Sequence, residues 1–202
     1  ALDASLPDSI RAWASADVPD GFHATHDAID RTYTYYLYAP EQQMSTADFD
    51  DRAETALDAM SGHHDVQNLC YRESDTRRTL DCRGHRDGAA FVITVEASGF
   101  LRQLVRRVVT LIEQVAAGER TLGFLERALD PEPLEGPDGI PPAPATGLLL
   151  SAVAYDCSFS VAPEQAGRAS EWFAQRQAEW ATRARVADAI GDALAGRESQ
   201  QS

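Results

Sequence analysis

The chain's 202 residues, 44% hydrophobic and 25% charged, suffice for one large domain or for one domain with appendages. No apolar run approaches the ~20 residues that span a bilayer, and Ala1–Pro7 has neither the basic n-region nor the apolar h-region of a signal peptide. The net charge of −14 taken alone argues against nucleic acid, because phosphates favour basic surfaces.

Ser5–Ser9 reads as a turn, and Ile10–Ala16, apolar at alternate positions, as a short strand. Val18-Pro-Asp-Gly-Phe-His-Ala24 leads toward Asp30–Ala39, which is rich in β-branched and aromatic residues and is therefore a strand. Alternation puts Tyr33 and Tyr35 on one face of it and Thr32, Thr34 and Tyr36 on the other. Ser45, with Asp48 three residues on, has capping-box spacing at a helix start. Phe49, Ala53, Ala56, Leu57 and Met60 form the buried stripe of that helix, and Gly62 ends it. Its acidic side (Asp50, Asp51, Glu54, Asp58) is expected to face solvent. Thr76–Cys82 and Ala89–Glu96 are two strands joined around Asp87-Gly88, a hairpin signal.

Between Ala97 and Gly118, Leu101, Leu104, Val105, Val108, Ile112, Val115 and Ala116 recur at three- and four-residue steps. That spacing predicts a helix burying a broad face, with Gly118 placed for a left-handed C-cap. On this helix Arg102 and Arg106 lie one turn apart on one flank of the apolar stripe, and Arg107 lies on the other. Arginines at such margins either snorkel from a core helix or aim a guanidinium at a carboxylate or phosphate. A short helix from Thr121 to Leu129 follows, then the proline-rich loop Pro131–Pro144, of a length that often carries function. Pro163 to about Ala195 is a last helix. Its Phe173, Trp180, Ala187 and Leu194 fall at seven-residue intervals with Trp172 beside them, a docking helix or a partner seam. Docking onto its own domain is the commoner case.

Several of these segments resemble, in order, motifs of the TruA-type tRNA pseudouridine synthases. Val18–Ala24 resembles V-P-x-x-F-H-A, and Arg31-Thr-Tyr-Thr-Tyr35 matches R-x-Y-x-Y. Gly62–Leu69 resembles G-x-H-D-F-x-x-F, with Val66 and Leu69 in place of two phenylalanines; Arg78-Thr79 matches an R-T pair. Gly99–Val109 resembles G-F-x-x-x-M-V-R-N-I-V, and Ala143–Leu150 resembles A-P-A-E-G-L-Y-L, departing from it at Thr146 and Leu149. The likeness spans roughly Leu2 to Tyr155.

The resemblance implies an α+β fold, an antiparallel sheet with helices packed on one face. It implies a catalytic subdomain over residues 1–158, followed by a helical extension over 159–202. It also implies isomerisation of uridine to pseudouridine in the anticodon stem-loop of tRNA, without cofactor or metal, by a cytoplasmic homodimer. Arg106, at the arginine of M-V-R, would pair with the catalytic aspartate and keep it ionised, since a nearby cation lowers a carboxylate's pKa. Tyr33, the first tyrosine of R-x-Y-x-Y, would stack on the flipped uracil. Arg31, Arg102 and Arg107 are candidates for RNA phosphates, Arg107 standing where the family has asparagine. His23 reads as an ordinary residue leading into a strand.

The family's aspartate lies in a G-R-T-D-x-G-x-H loop, and no such string occurs here. The expectation is therefore the C-terminal half of an enzyme, inactive alone, with the aspartate upstream and one sheet edge left bare; the non-methionine start fits a processed or excised chain. The acidity also reads differently once its make-up is seen. All 18 positive side chains are arginine and none is lysine. Such a surface suits very high salt, where a Debye length of roughly 3 Å at 1 M hides long-range repulsion and RNA is held by short-range arginine and stacking contacts. Full stability in dilute buffer would overturn that expectation. Cys70, Cys82 and Cys157, an odd three without a C-x-x-C pair, suit reduced thiols in a cytosol. The competing classes are a non-catalytic RNA-binding or interaction domain of similar fold, and a metal-dependent hydrolase using His63, His64 and Asp65. A zinc site drawn from His63, His64, Cys70, Cys82 and His85 matches no recurrent spacing.

Overall fold

The computed structural model describes residues 6–7, 10–39, 45–70, 74–134 and 139–198, with side chains described as far as Ala193. Most of the turn expected at Ser5–Ser9, residues 135–138 of the proline-rich loop and the Leu194 side chain lie outside the described residues. In chain order the strands are β1 (Ala14–Ser15), β2 (Ala28–Tyr38), β3 (Gly62–Asp65), β4 (Arg77–Asp87), β5 (Ala90–Ala97), β6 (Leu148–Tyr155) and β7 (Ser160–Val161). The helices are α1 (Thr46–Met60), α2 (Leu104–Ala116), α3 (Leu122–Ala128) and α4 (Pro163–Glu198). They fall into two units, His23–Asp156 and a second made of Ala1–Phe22 with Cys157–Ser202.

The first unit is α+β, a five-stranded antiparallel sheet in the order β3-β4-β5-β2-β6. β4 and β5 form the expected hairpin, turned at Gly88, whose φ of 56° is the left-handed conformation such a turn needs. Register decides which residues share a face. Tyr33, Tyr35 and Leu37 of β2 stand opposite Val95, Ile93 and Phe91 of β5, and Cys82 of β4 stands opposite Val95. Tyr35, Leu37, Phe91, Ile93, Val95, Leu80 and Cys82 join one core with Ala53, Ala56, Leu57 and Met60 of α1 and Leu104, Val108, Leu111 and Ile112 of α2. The other face of the sheet carries the polar set, with Thr32 opposite Glu96, Thr34 opposite Thr94, and Arg83 opposite Thr94 from the other side.

Ser45 caps α1 as the spacing predicts: its hydroxyl oxygen accepts the Asp48 N–H at 3.1 Å. The acidic side of α1 is only partly a solvent face. Asp51, Glu54 and Asp58 are exposed, but half-buried Asp50 is gripped by Arg86 of β4, whose Nε lies 3.1 Å from one carboxylate oxygen and 3.2 Å from the other. The same guanidinium donates to Ala39 O at 2.7 Å and lies over the rings of Phe49 and Phe91. Gly62–Leu69 is not a plain loop, since β3 is followed by a 3-10 turn at Gln67–Leu69. Val66 and Leu69, the two substitutes for phenylalanine, are fully buried.

In the second unit only Ala14–Ser15 of the expected Ile10–Ala16 strand is formed, paired antiparallel with β7. Arg11 lies over the Trp172 ring of α4, 5.6 Å from its centroid, and Arg176 covers the same ring at 5.0 Å. Phe173 and Trp180, expected to be a docking seam, are 55% and 58% exposed. No helix among the described residues is long and apolar enough to cross a membrane.

Candidate active site

The site is assembled where β2 passes beneath the start of α2. Strand alternation sends Tyr33 and Tyr35 toward the helix layer. The helix itself begins later than its apolar repeat predicts. α2 starts at Leu104 because Gln103 adopts φ 63°, ψ 6°, the left-handed region. Gln103 is the one non-glycine residue with positive φ among the described residues, a conformation that costs about 1–2 kcal/mol for a residue with a Cβ. Arg102 is therefore not a helical neighbour of Arg106; it sits exposed in the turn before α2. That turn also presents Phe100, whose ring meets Tyr33 edge-on with centroids 5.0 Å apart and an 86° angle between planes. Edge-to-face contact fixes the plane of the tyrosine ring while leaving a face to stack on.

Arg106 is fixed by the segment that leads into β6. Its Nε donates to Ala143 O, and its own carbonyl accepts the Ala143 N–H at 3.0 Å and the Thr110 hydroxyl at 3.2 Å. Among the described residues no hydrogen bond or ion pair engages its terminal nitrogens. A guanidinium held by Nε and open at its far end is set to receive a carboxylate. Next to Ala143, the Tyr35 hydroxyl donates to Pro144 O at 3.0 Å. Burial, and then the charge of Glu113, raises the Tyr35 pKa against the opposing influence of Arg106. The 3-10 turn Ala145–Gly147 lies flat against β2. A Cβ on Gly147 would come 2.8 Å from Tyr35 Cζ and 2.9 Å from Tyr36 O, so only glycine fits. A cleft of about 410 Å³ remains here, bordered by Tyr35, Glu113, Pro144 and Thr146. The Glu113 carboxyl is pushed above its ordinary value by burial, with Glu119 adding to the effect.

The other expected residues are placed unequally. Arg31 directs its guanidinium to the backbone carbonyls of Ala28 (3.0 Å), Ser98 and Thr25. Arg107 is half-buried on the opposite flank of α2, and its Nε is buried without a hydrogen-bond partner among the described residues. Tyr33 and Arg106 are thus gathered on the helix-facing side of the sheet; Arg31 leaves the same face of β2 but is engaged by backbone carbonyls, and Arg102 and Arg107 point to separate surroundings. His23 lies in the turn before β2, where its Nδ1 accepts the Thr25 N–H at 3.2 Å.

The residues of the metal-hydrolase alternative serve local structure. His63 Nδ1 is 3.1 Å from Thr79 Oγ1, His64 Nε2 is 3.1 Å from Ser61 O, and Asp65 accepts from Thr76 Oγ1 at 2.6 Å and from Gln67 N at 3.2 Å. Among the described residues no group of three or more His, Cys, Asp and Glu is arranged to hold a metal. Burial pushes the Cys82 thiol up to about 12, which keeps it protonated and unreactive at neutral pH.

Sequence reasoning missed three participants. Tyr35 shares the face of Tyr33 by alternation, but nothing in the sequence shows that its hydroxyl holds Pro144. Phe100 lies within the G-F motif, yet only the turn geometry shows that it braces Tyr33. The Ala143 carbonyl that anchors Arg106 has no signature in the sequence, because every residue has one.

The profile of the tRNA pseudouridine synthase family matches residues 56–156, a span that contains Arg106 and Ala143 but not Tyr33. A tRNA pseudouridine synthase A of Haloarcula marismortui is 48% identical, covering 96% of this chain and 72% of that protein. Its counterpart from Halobacterium salinarum is 49% identical, over 93% and 69%, and one from Methanothrix thermoacetophila is 33% identical, over 76% and 55%. A helix-backed antiparallel sheet carrying this profile is a pseudouridine synthase domain. The chain belongs to the tRNA pseudouridine synthase family. Its acidic, lysine-free composition is in keeping with relatives from halophilic archaea.

Proposed function

We propose that this chain supplies the tyrosine and arginine side of a tRNA pseudouridine synthase active site that works on uridines of the anticodon stem-loop. The observation that carries this reading is the anchored, open-ended Arg106 on the same side of the sheet as Tyr33, braced by Phe100. The target uridine leaves its stack at a cost of a few kcal/mol. Tyr33 offers a ring to stack on the uracil and a hydroxyl to hydrogen-bond it. The aspartate of the family's G-R-T-D-x-G-x-H loop comes from upstream of Ala1, and the guanidinium of Arg106 holds it ionised. The carboxylate assists rupture of the bond between the ribose C1′ and uracil N1. The base turns, C5 bonds to C1′, C5 loses its proton and N1 gains one. Reactant and product have the same atoms, so the isomerisation draws on no oxidant, reductant or cofactor. The homodimer and the cytoplasmic site of action follow from the same family likeness and stand as part of this proposal, as does a role for residues 159–202 as an appendage to the catalytic part.

The test supplies the natural upstream segment and assays pseudouridine formation in tRNA at high salt. Conversion is expected from the complete protein and not from this chain alone. Arg106→Ala is expected to lower kcat by about 10²-fold or more, the scale of losing a charge-stabilising group in an active site, and Tyr33→Ala to abolish productive stacking. Tight tRNA binding without any conversion would instead make the chain a binding module.

A further inference from the structure

We propose that Arg31 is a positioning residue for Tyr33 and not a phosphate contact, an inference that rests on the pseudouridine synthase reading above. Arg31 has five N–H groups, and three of them are donated to backbone carbonyls: Nη1 to Ala28 O and Ser98 O, Nη2 to Thr25 O. These carbonyls belong to three separate segments: the turn before β2, the first residue of β2, and the turn from β5 into α2. The side chain therefore ties together the two turns that flank Tyr33. Arg31 is paired with Ala97 and Tyr33 with Val95, so the two side chains leave the same face of β2, two residues apart. Two residues beyond Ser98 is Phe100, whose ring edge rests on Tyr33. Holding Ser98 holds Phe100, and Phe100 sets the plane of the ring on which a base stacks. With both Nη1 N–H groups turned to carbonyls, Arg31 cannot present its end-on Nη1/Nη2 fork to a phosphate.

The two roles part company in the complete enzyme. A positioning role predicts that Arg31→Gln lowers kcat at saturating tRNA about tenfold or more, as misplacement of a reacting geometry does. It also predicts that the slope of log affinity against log salt is unchanged. Phe100→Ala lowers kcat in the same way, and the double variant is no slower than the slower single variant, because both act on one ring. Arg31→Lys keeps the charge but cannot span three carbonyls with one ammonium, so its kcat stays low; it also stands in for Arg31→Gln should that variant fail to melt cooperatively. The inference is overturned if Arg31→Gln leaves kcat unchanged and reduces the salt slope by about 0.7–0.9, the signature of one lost phosphate contact. It is overturned as well if the losses from Arg31→Gln and Phe100→Ala multiply. A wild-type enzyme that makes no pseudouridine at all refutes the underlying reading, whatever the variants do.

Discussion

α2 and α4 both carry apolar residues at helical intervals, yet they end in opposite surroundings. α2 has thirteen residues, and nine of them are buried, including Thr110, whose hydroxyl is satisfied by Arg106 O. α4 has thirty-six, and among its described side chains Ala169 alone is buried, while Phe173, Trp180, Val186 and Ile190 are each more than half exposed. The difference lies in what surrounds the apolar stripe. In α2 Val109, Thr110 and Leu111 are buried beside the repeat, Thr110 with its hydroxyl satisfied, so the stripe is broad and matches the apolar face of a sheet. In α4 the stretches between Phe173, Trp180, Val186 and Ile190 hold only alanine, threonine and charged or amide residues, which leaves a narrow line with little area to bury. Periodicity predicts a helix; the width of the stripe decides whether the helix is a core element.

The largest effect that would break this comparison is in the core of α2. Leu111 is fully buried, and Leu111→Ala is expected to destabilise the protein by about 2–5 kcal/mol through lost burial and the cavity left behind. Chemical denaturation at constant salt reads this directly; a loss under about 1 kcal/mol would mean that α2 is not the keystone of the core. Smaller, and opposite in sign, is the change at the strained start of the helix. Gln103→Gly relieves a left-handed Cβ worth about 1–2 kcal/mol and gives back part of it in unfolded-chain entropy, a net gain of roughly 0.5–1 kcal/mol. If the left-handed turn serves the site, as its place beside Phe100 indicates, the stabilised variant gains melting temperature without gaining activity.

A third test concerns pH. The Glu113 carboxyl is raised above 4.5 in the folded protein, by burial first and by Glu119 second. Between the ordinary value and the raised one, the folded state holds the proton more firmly than the unfolded state does. Stability therefore falls as pH rises through that window and stays lower above it. Glu113→Gln removes this penalty. Its melting temperature is expected to exceed that of the wild type at neutral pH, with the gap closing as the pH drops below the ordinary carboxylate value. A gap that is the same at both ends would place the Glu113 carboxyl in water rather than in the cleft beside Tyr35.

Much of the fold was legible because its signals are local. β-branched and aromatic runs mark β2 and β5, Asp87-Gly88 marks the hairpin of β4 and β5, and Ser45 marks the start of α1. Of the site, alternation put Tyr33 and Tyr35 on one face, and the motif helix pointed to Arg106. What escaped depends on contacts across long stretches of chain. Asp50 looks solvated until Arg86 arrives from 36 residues away. Arg31 looks free until the carbonyl of Ser98 is brought beside it by strand pairing. The join between Ala1–Phe22 and the C-terminal helix was equally invisible, because a two-residue strand pair and one arginine over a tryptophan ring leave no periodic trace. The start of α2 escapes the sequence for a different reason: the apolar repeat begins at Leu101, but the left-handed backbone at Gln103 delays the helix to Leu104.

The smallest expected effect is the sharpest check on α4. From Ala181 to Ala193 every described side chain is exposed, and one ion pair, Arg183 with Glu179, reaches into this stretch. Arg168 and Glu164 are 2.7 Å apart, Arg176 and Glu179 2.7 Å, and Arg183 and Glu179 2.6 Å, all at helical spacing. The hydrogen bond from Arg176, and then the charge of Arg183, holds the Glu179 carboxyl below its ordinary value. Surface substitutions away from special features change stability by no more than about 0.5 kcal/mol, and that is the change expected for Val186→Ser by chemical denaturation. A loss well beyond that range would show that the outer turns of α4 are covered in solution, and the contrast with α2 would collapse. A loss that grows with protein concentration would assign the cover to a second copy, and a loss independent of concentration to the same chain. A neutral result leaves the outer turns of α4 without tertiary cover, which is what the narrow apolar line in its sequence dictates.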